Sequence, residues 1–273
     1  MNNKIVFGSY VPVNSPLHRL DPRMKLLMCI WYVILVFFAN SLGTSLWLLA
    51  GLLVAILLSR VGFNQYWQGI RPLAWVIIIT VAFQILFSSG GKMYWHWGIM
   101  SITHDGLINS LIIFYRFMVI ITASTVLTAT TPTLRIADGL DWYMQPLKII
   151  KVPVNQLTLM LSIALRFIPT IMDEAGKITN AQRSRGMNFH QGGLLQRARH
   201  LIPVLIPLFV NSFKRAEDLA TAMEARGYDP DAPRTHYRQL HWRYQDTITL
   251  LIMVMVTCVL FLIRGGAFAF VSL

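Results

Sequence analysis

The chain is short of charged residues and of cysteine, and both shortages exclude classes of protein. Only 13% of its 273 residues are charged, whereas 55% are hydrophobic. A soluble domain typically has about 25% charged and about 45–50% apolar residues. The composition therefore excludes a disordered or fibrous chain and a small disulfide scaffold, and it is typical of a membrane protein. The two cysteines, Cys29 and Cys258, lie in apolar runs, and neither has a CxxC partner or a nearby pair of histidines.

Catalytic and nucleotide-binding motifs are also missing from the sequence. Gly176-Lys177-Ile178-Thr179 is similar to the end of a phosphate-binding loop, but Ile171 stands where the first glycine of that loop is required. Neither HExxH nor GxSxG occurs, and no Cys-His spacing is typical of a metal site. We therefore predict no catalytic residue, no metal and no cofactor, and we expect another chain to bind any ATP.

Positive charge is in excess, with a net charge of +12 and a pI near 10.1. The segment from Pro132 to Asp246 mixes 15 Lys and Arg residues with 10 Asp and Glu residues. Binding to a phosphate backbone requires clustered positive charge without such opposing acids. We therefore predict no nucleic-acid partner, and we attribute the excess to the basic cytoplasmic loops of membrane proteins.

Long apolar runs predict an all-α polytopic membrane protein with about five transmembrane helices. The runs cover residues 24–39, 42–59, 73–87, 107–129 and 247–263. Several are shorter than the roughly 20 residues that a spanning helix needs. The first can be extended, because Asp21 suits an N-cap and Pro22 suits the first helical position. Basic residues before this run predict a cytoplasmic N-terminus in a multi-pass protein of the cell membrane.

The segment between the fourth and fifth runs is too long for a loop without structure of its own. We expect residues 1–129 to form an N-terminal membrane region with four spans, residues 130–246 a cytoplasmic helical coupling domain, and residues 247–273 the final transmembrane helix. Periodic apolar residues predict two long amphipathic helices in the coupling domain, at the surface of the lipid bilayer. On the second helix the apolar stripe is Phe213, Ala216, Ala220 and Met223.

Each of these two helices ends in a small residue, an arginine and a glycine. The tripeptides are Ser184-Arg185-Gly186 and Ala225-Arg226-Gly227. One interpretation is helix capping, because glycine adopts the left-handed conformation after a helix and arginine interacts favourably with the helix dipole. The repetition indicates a second interpretation, in which the two planar guanidiniums pair with carboxylates of a partner.

Further short strings extend along nearly the whole chain. They are SPLHRLDPR at 15–23, TTP at 130–132, LRFIP at 165–169, RAE at 215–217 and AMEARGY at 222–228. Together with the paired tripeptides, they resemble the transmembrane T component of energy-coupling factor (ECF) transporters. That family has two Ala-Arg-Gly motifs, and Ser184 replaces the alanine of the first one here. The serine adds one hydroxyl and little volume, so the motif is expected to keep its role.

The resemblance implies a non-catalytic coupling subunit of an ECF-type ABC importer for vitamin or micronutrient uptake. Its implied partners are two ABC-type ATPase subunits at the cytoplasmic face and one substrate-binding S component in the membrane. Carried over by position, Ser184, Arg185 and Gly186 would contact one ATPase. Ala225, Arg226 and Gly227 would contact the other.

Three other charged residues of the coupling domain are candidate supporting residues. Arg166 is expected to form an internal salt bridge with Asp173 or Glu174, which would hold a helix bent at its proline. Arg215 and Glu217 are expected on a solvated face that also touches a partner.

Other functions stay open at this point. A T component dedicated to one cobalt or nickel module is hard to distinguish by sequence from one that is shared by several vitamin-binding subunits, although the shared type is favoured. A self-sufficient secondary transporter would use Arg116, in the fourth run, as a charge in its path. We favour instead a packing role for Arg116 against other helices. A membrane-embedded lipid enzyme would need clustered acids such as a pair of DxxD motifs, and only the single DxxD of Asp138 and Asp141 occurs.

Overall fold

A computed structural model of the chain describes residues 10–39, 41–88, 90, 92–97, 100–151, 153–189, 191, 193–229 and 240–264. The chain divides into two compact units. The larger unit comprises Gly8–Tyr143 and Leu240–Leu273, and the smaller unit comprises Met1–Phe7 and Met144–Gln239. These bounds differ from the three expected regions, because residues 130–143 and 240–246 fall in the larger unit. The functional division into membrane and coupling domains stays a prediction.

Helices form most of the described structure. In chain order they are α1 (Pro22–Phe38), α2 (Leu42–Ser59), α3 (Phe63–Ile70), α4 (Ala74–Phe87), α5 (His104–Thr130), α6 (Thr133–Met144), α7 (Val154–Ser184), α8 (Leu194–Ala225) and α9 (Tyr244–Leu262). Short 3₁₀ helices cover Leu17–Arg19 and Gln145–Ile150. The strands β1 (Met93–Trp97) and β2 (Met100–Thr103) pair as an antiparallel hairpin between α4 and α5.

The all-α class and the positions of the predicted apolar runs are confirmed. The five runs coincide with α1, α2, α4, α5 and α9, and no bound differs by more than three residues. The expected N-cap is also present, because the Asp21 carboxylate accepts a hydrogen bond from the Arg23 backbone N–H at 2.9 Å. The β-hairpin was not predicted.

Fewer spans than the predicted five result when the helices are judged by length and hydropathy. Among the described residues, α5, α7 and α9 are each long and apolar enough to cross a bilayer. A fourth span results if α3 and α4, which are bent by 59° at a short break, cross together. The chain is therefore a polytopic membrane protein, and the count of five stays a prediction.

Helix α5 lies at the centre of the larger unit, in contact with α1, α2, α3 and α4. Its buried Val119 and Ala123 join a core with residues of α1, α2 and α9, among them Leu48 and Leu260. Helix α3 approaches α5 closely at Gly69, where a Cβ atom would lie only 2.6 Å from the Thr125 hydroxyl. A side chain at this position would therefore force Thr125 to shift.

Buried polar residues join the beginnings of α1 and α9. The Asp246 side chain is fully buried, and its two carboxylate oxygens accept hydrogen bonds from the backbone N–H groups of Asp21 and Arg243, both at 2.8 Å. One side chain thus satisfies a donor at the start of each helix. Helix ends otherwise leave such donors unpaired.

Lys25 connects α1 to the end of α5. Its ammonium group is buried and donates to the Thr130 carbonyl at 3.0 Å and to the Thr131 hydroxyl at 3.2 Å. Nearby, His18 contacts the Ser15 hydroxyl at 2.7 Å and the Val11 carbonyl at 2.9 Å. The strings at 15–23 and 130–132 therefore lie on opposite sides of one polar network, which gives both a structural role.

Removing the Asp246 carboxylate is expected to destabilise the larger unit. Asp246→Ala leaves two N–H groups without an acceptor, one of them buried, at a cost of about 2–4 kcal/mol. That cost corresponds to a fall of roughly 5–10 °C in the Tm of the purified protein in detergent. Asp246→Asn keeps one acceptor oxygen and loses less. Asp105→Ala, at a half-exposed acid of α5, is the control, and an unchanged Tm for Asp246→Ala would contradict the assignment.

Candidate functional site

Helices α7 and α8 form an antiparallel pair in the smaller unit. On α7, Glu174 accepts hydrogen bonds from Asn211 at 2.5 Å and from the Arg215 guanidinium at 3.3 Å. Nearer the end of α7, the Gln182 side chain donates to the Pro203 carbonyl at 3.4 Å. Partner positions on α8 move backwards as positions on α7 advance, so the helices run in opposite directions.

The Glu174–Arg215 ion pair corrects the expected roles of the supporting residues. Arg215 is half-buried and its guanidinium also lies 5.9 Å from the Phe167 ring, so it joins the two helices. Arg166 is exposed, and no salt bridge from it to Asp173 or Glu174 occurs in the described part of the chain. A separation of seven or eight residues is about 10–12 Å along a helix, and Glu174 is turned toward α8. Glu217 is exposed, as expected.

The two tripeptides adopt the same helix-ending geometry. Gly186 and Gly227 have positive φ angles of 85° and 70°. After α7, the N–H groups of Gly186 and Met187 bond to the carbonyls of Arg183 and Gln182. After α8, those of Gly227 and Tyr228 bond to Glu224 and Met223 in the same pattern. Both ends are Schellman motifs, which confirms the capping interpretation.

Both arginines extend outward from these caps. All six tripeptide residues, Ser184, Arg185, Gly186, Ala225, Arg226 and Gly227, are exposed. Within the described residues, neither the Arg185 nor the Arg226 guanidinium has a hydrogen-bond or ion-pair partner. Apart from each glycine and its two chain neighbours, no described atom lies within 4 Å of a Cβ added there. The caps therefore hold two guanidiniums in open space.

The antiparallel pairing places the arginines at opposite ends of the helix pair. At 1.5 Å per residue, Arg185 lies about 16 Å beyond Glu174 on α7. Arg226 lies about 20 Å beyond the Glu174 partners on α8, in the opposite direction. The two ends are thus about 35 Å apart along the helix axes, which is too far for one small carboxylate ligand to bind both.

Gln182 is a site residue that sequence reasoning missed. Pro207 has no N–H group, so the Pro203 carbonyl four residues earlier has no helical donor. The Gln182 amide supplies that donor from α7, one turn before Arg185. Two prolines four residues apart show in the sequence that a carbonyl lacks its helical donor. No neighbouring residue identifies Gln182 as the side chain that replaces it.

A broad apolar face of α8 is exposed, away from the side that meets α7. Ile202, Ile206, Phe209 and Phe213 lie on it at helical spacing, and Phe213 is 71% exposed. Of the predicted stripe, Ala216 and Ala220 are exposed and Met223 is half-buried. The stripe is therefore largely unpartnered within the chain.

Two other candidate sites have less structural evidence for a function. The Arg116 guanidinium lies 5.7 Å from the Phe37 ring of α1, which agrees with its packing interpretation. Among the described residues, no group of three or more His, Cys, Asp or Glu side chains could hold a metal ion.

Comparison with known proteins identifies relatives over nearly the whole chain. Residues 13–237 match the family CbiQ, described as a cobalt transport protein. The energy-coupling factor transporter transmembrane protein EcfT of Limosilactobacillus fermentum is 56% identical over 97% of this chain and 99% of its own length. The EcfT proteins of Lacticaseibacillus paracasei and Streptococcus equi subsp. equi are 47% and 45% identical, each over 96% of this chain and over 100% and 98% of their own lengths.

Alanine at the cap glycines is expected to destabilise the ends of α7 and α8. Gly186→Ala and Gly227→Ala force a Cβ into the left-handed conformation, at a cost of about 1–2 kcal/mol each. Gly176→Ala is the matched control, because Gly176 lies inside α7 with open space around it, and alanine there stabilises the helix by about 1 kcal/mol. The Tm should therefore fall for the two cap variants and rise for Gly176→Ala. A shift of all three in the same direction would contradict the cap geometry.

A double-mutant cycle tests the Gln182 hydrogen bond. Gln182→Leu leaves the Pro203 carbonyl without its donor and is expected to cost about 1 kcal/mol in unfolding free energy. In a Pro207→Ala background the new N–H bonds that carbonyl, so the same change costs less. Gln196→Leu, at an exposed residue of α8, is the control. Equal costs in the two backgrounds would show that Gln182 does not serve this carbonyl.

Proposed function

This chain belongs to the CbiQ family, among the transmembrane T components of ECF transporters, and we propose that it couples ATP hydrolysis by two partner ATPases to a separate substrate-binding S component. It would act in vitamin or micronutrient uptake and would itself be non-catalytic. The proposal rests chiefly on one observation: two exposed arginines with the same Schellman cap lie at opposite ends of one antiparallel helix pair.

The caps suit the two arginines to docking. A guanidinium forms two parallel hydrogen bonds with a carboxylate, and the small residues on either side allow the helix end to enter a narrow groove. Because the two ends are about 35 Å apart, each would meet a different ATPase subunit. The N-terminus and the helix pair would lie at the cytoplasmic face, where ATP is available, so α7 would not span the bilayer although it is long and apolar enough to do so.

The helix pair is suited to transmit movement as a rigid body. Glu174 bonds to both Asn211 and Arg215 across the pair, and Gln182 adds a second connection nearer Arg185. When the ATPases close on ATP, the two ends would move with them, and the pair would carry that displacement to the S component. The exposed apolar face of α8 is chemically suited to contact a membrane-embedded partner.

A T component dedicated to cobalt or nickel uptake is the second candidate. It is favoured by the description of the matching family as a cobalt transport protein. The relatives reported above are instead named energy-coupling factor transporter proteins, and we favour the shared type. Purification of the chain from native membranes, followed by mass spectrometry, separates the two, because a shared subunit brings down several small membrane proteins and a dedicated one brings down a single module.

Charge reversal tests the proposed docking. Arg185→Glu and Arg226→Glu should leave membrane insertion intact and should each weaken ATPase binding by about tenfold or more, since a charge-assisted hydrogen bond contributes about 1.5–3 kcal/mol. The measurement is the amount of ATPase that co-purifies in mild detergent. Lys214→Glu changes an exposed cation in the middle of α8 and serves as the control. Wild-type co-purification with the double variant would refute the assignment of both arginines.

A further inference from the structure

The short helix α3 of the larger unit has three different faces. One face packs against the end of α5 through the buried Tyr66 and through Gly69. The second face is apolar and open, because Phe63 is 79% exposed and Trp67 is 56% exposed. The third face lies about a quarter turn away from these two side chains and is polar and exposed. Its residues are Asn64 and Gln68. The open surface of α3 is therefore amphipathic.

Helix α3 adds little to a crossing of the bilayer. It has eight residues and is about 12 Å long, whereas the 14 residues of α4 extend about 21 Å. Because the two helices are bent by 59°, α3 advances only about 6 Å along the direction of α4. Within hydrocarbon its exposed amide side chains would have no water to bond, whereas at the bilayer surface they reach it. The surface is therefore the position that suits both open faces.

Helix α3 lies at the basic end of the larger unit. Lys25, near the start of α1, bonds to Thr130 at the end of α5, and Gly69 of α3 meets Thr125 near that same end. Membrane proteins concentrate Lys and Arg on the cytoplasmic side, so this end suits the cytoplasmic face. The exposed cations in the segments that meet at this end are Arg19, Arg60, Arg71 and Arg135.

One arginine lies close to each end of α3. Arg60 follows α2 with a positive φ of 54°, shortly before α3 begins, and Arg71 follows the last residue of α3. Both are exposed, and within the described residues neither guanidinium has a hydrogen-bond or ion-pair partner. From residue 22 to residue 104 the sequence contains no Asp or Glu. Two guanidiniums are thus available beside an exposed apolar face.

The acids of the larger unit leave this positive charge in place. Three of them, Asp21, Asp141 and Asp246, are buried. Asp105 lies at the opposite end of α5, about 30 Å from Thr125 along the helix. The last acid, Asp138, is half-buried and already interacts within the chain. The exposed charge around α3 is therefore positive.

We infer that α3 lies in the plane of the bilayer surface and that Arg60 and Arg71 bind the phosphate groups of anionic phospholipids. Phe63 and Trp67 enter the region of the acyl chains, and the polar face of α3 stays in water, as in other interfacial helices. A guanidinium suits this site because its N–H groups match the geometry of a phosphate. The inference does not depend on the proposed coupling function.

A partner protein is the alternative occupant of the open apolar face. A stable protein interface covers about 800 Å² on each partner, and the open apolar face of α3 has only two large side chains, Phe63 and Trp67. Two such side chains suffice for insertion among acyl chains, where phosphates are present on the same surface to pair with the arginines. A lipid surface is therefore favoured.

Spin labelling of the full chain in nanodiscs of phosphatidylglycerol and phosphatidylcholine tests the position of α3. In a background with Cys29→Ala and Cys258→Ala, one label is attached at a time. The labelled variants are Phe63→Cys, Trp67→Cys, Asn64→Cys and Gln68→Cys. Molecular oxygen is concentrated among acyl chains, whereas a charged nickel chelate stays in water. Labels at 63 and 67 should be more accessible to oxygen, and labels at 64 and 68 more accessible to nickel.

Ile78→Cys, at an exposed residue of α4, is the reference for a label in hydrocarbon. If all four α3 labels matched it, α3 would belong to a span and the inference would fail. Nickel access at all four positions would place α3 in water. Labels at 63 and 67 that neither reagent reaches would mean that a protein covers the face. Either of these results would also overturn the inference, and the proposed function would still stand.

A lipid titration tests the two arginines. Phosphatidylglycerol added to the protein in micelles of neutral detergent and phosphatidylcholine should raise its Tm. Arg60→Gln and Arg71→Gln should each increase the phosphatidylglycerol concentration that gives half of this rise by about fivefold. Lys92→Gln removes an exposed cation next to the start of α5, at the opposite end of the unit, and is the control. An unchanged concentration for the double arginine variant would overturn the lipid site.

Discussion

The bonds from Glu174 to Asn211 and Arg215 determine what the two ends of the helix pair can do. They hold α7 and α8 together in an antiparallel pair, so that a repeated sequence motif appears at two distant points and not at one. A parallel pairing would have placed both arginines together. The spacing of the proposed docking sites is thus a consequence of one half-buried cluster in the middle of the pair.

Capping and docking are complementary explanations of the same tripeptide. The glycine ends the helix because its left-handed conformation brings the last N–H groups to free carbonyls. The arginine that precedes it is then held on an ordered backbone and points into solvent. A frayed helix end would lose conformational entropy on binding. The residues of a closed cap are already ordered and therefore lose little more.

In the larger unit the same problem of unpaired helix ends is solved by buried side chains. Asp246 accepts from the start of α9 and from the start of α1, and Lys25 donates to the end of α5. These contacts explain why the strings at 15–23 and 130–132 belong together, although they are more than 100 residues apart in sequence. Polar groups that are buried among apolar helices must be paired. A residue change in one string would therefore leave a polar group of the other without its partner.

Local chemistry decided what could be predicted from the sequence alone. The apolar runs, the Asp21 cap and the two glycine-ended helices depend on neighbouring residues, and the structure confirms them. The expected Arg166 salt bridge was wrong, and the roles of Arg215, Gln182 and Asp246 were not found, because their partners come from other helices. Sequence likewise showed one tripeptide twice, and only the antiparallel pairing of α7 and α8 placed the two copies at opposite ends of the helix pair. The sequence thus determines where helices begin and end, since those signals lie within a few residues, and tertiary structure decides which distant side chains meet.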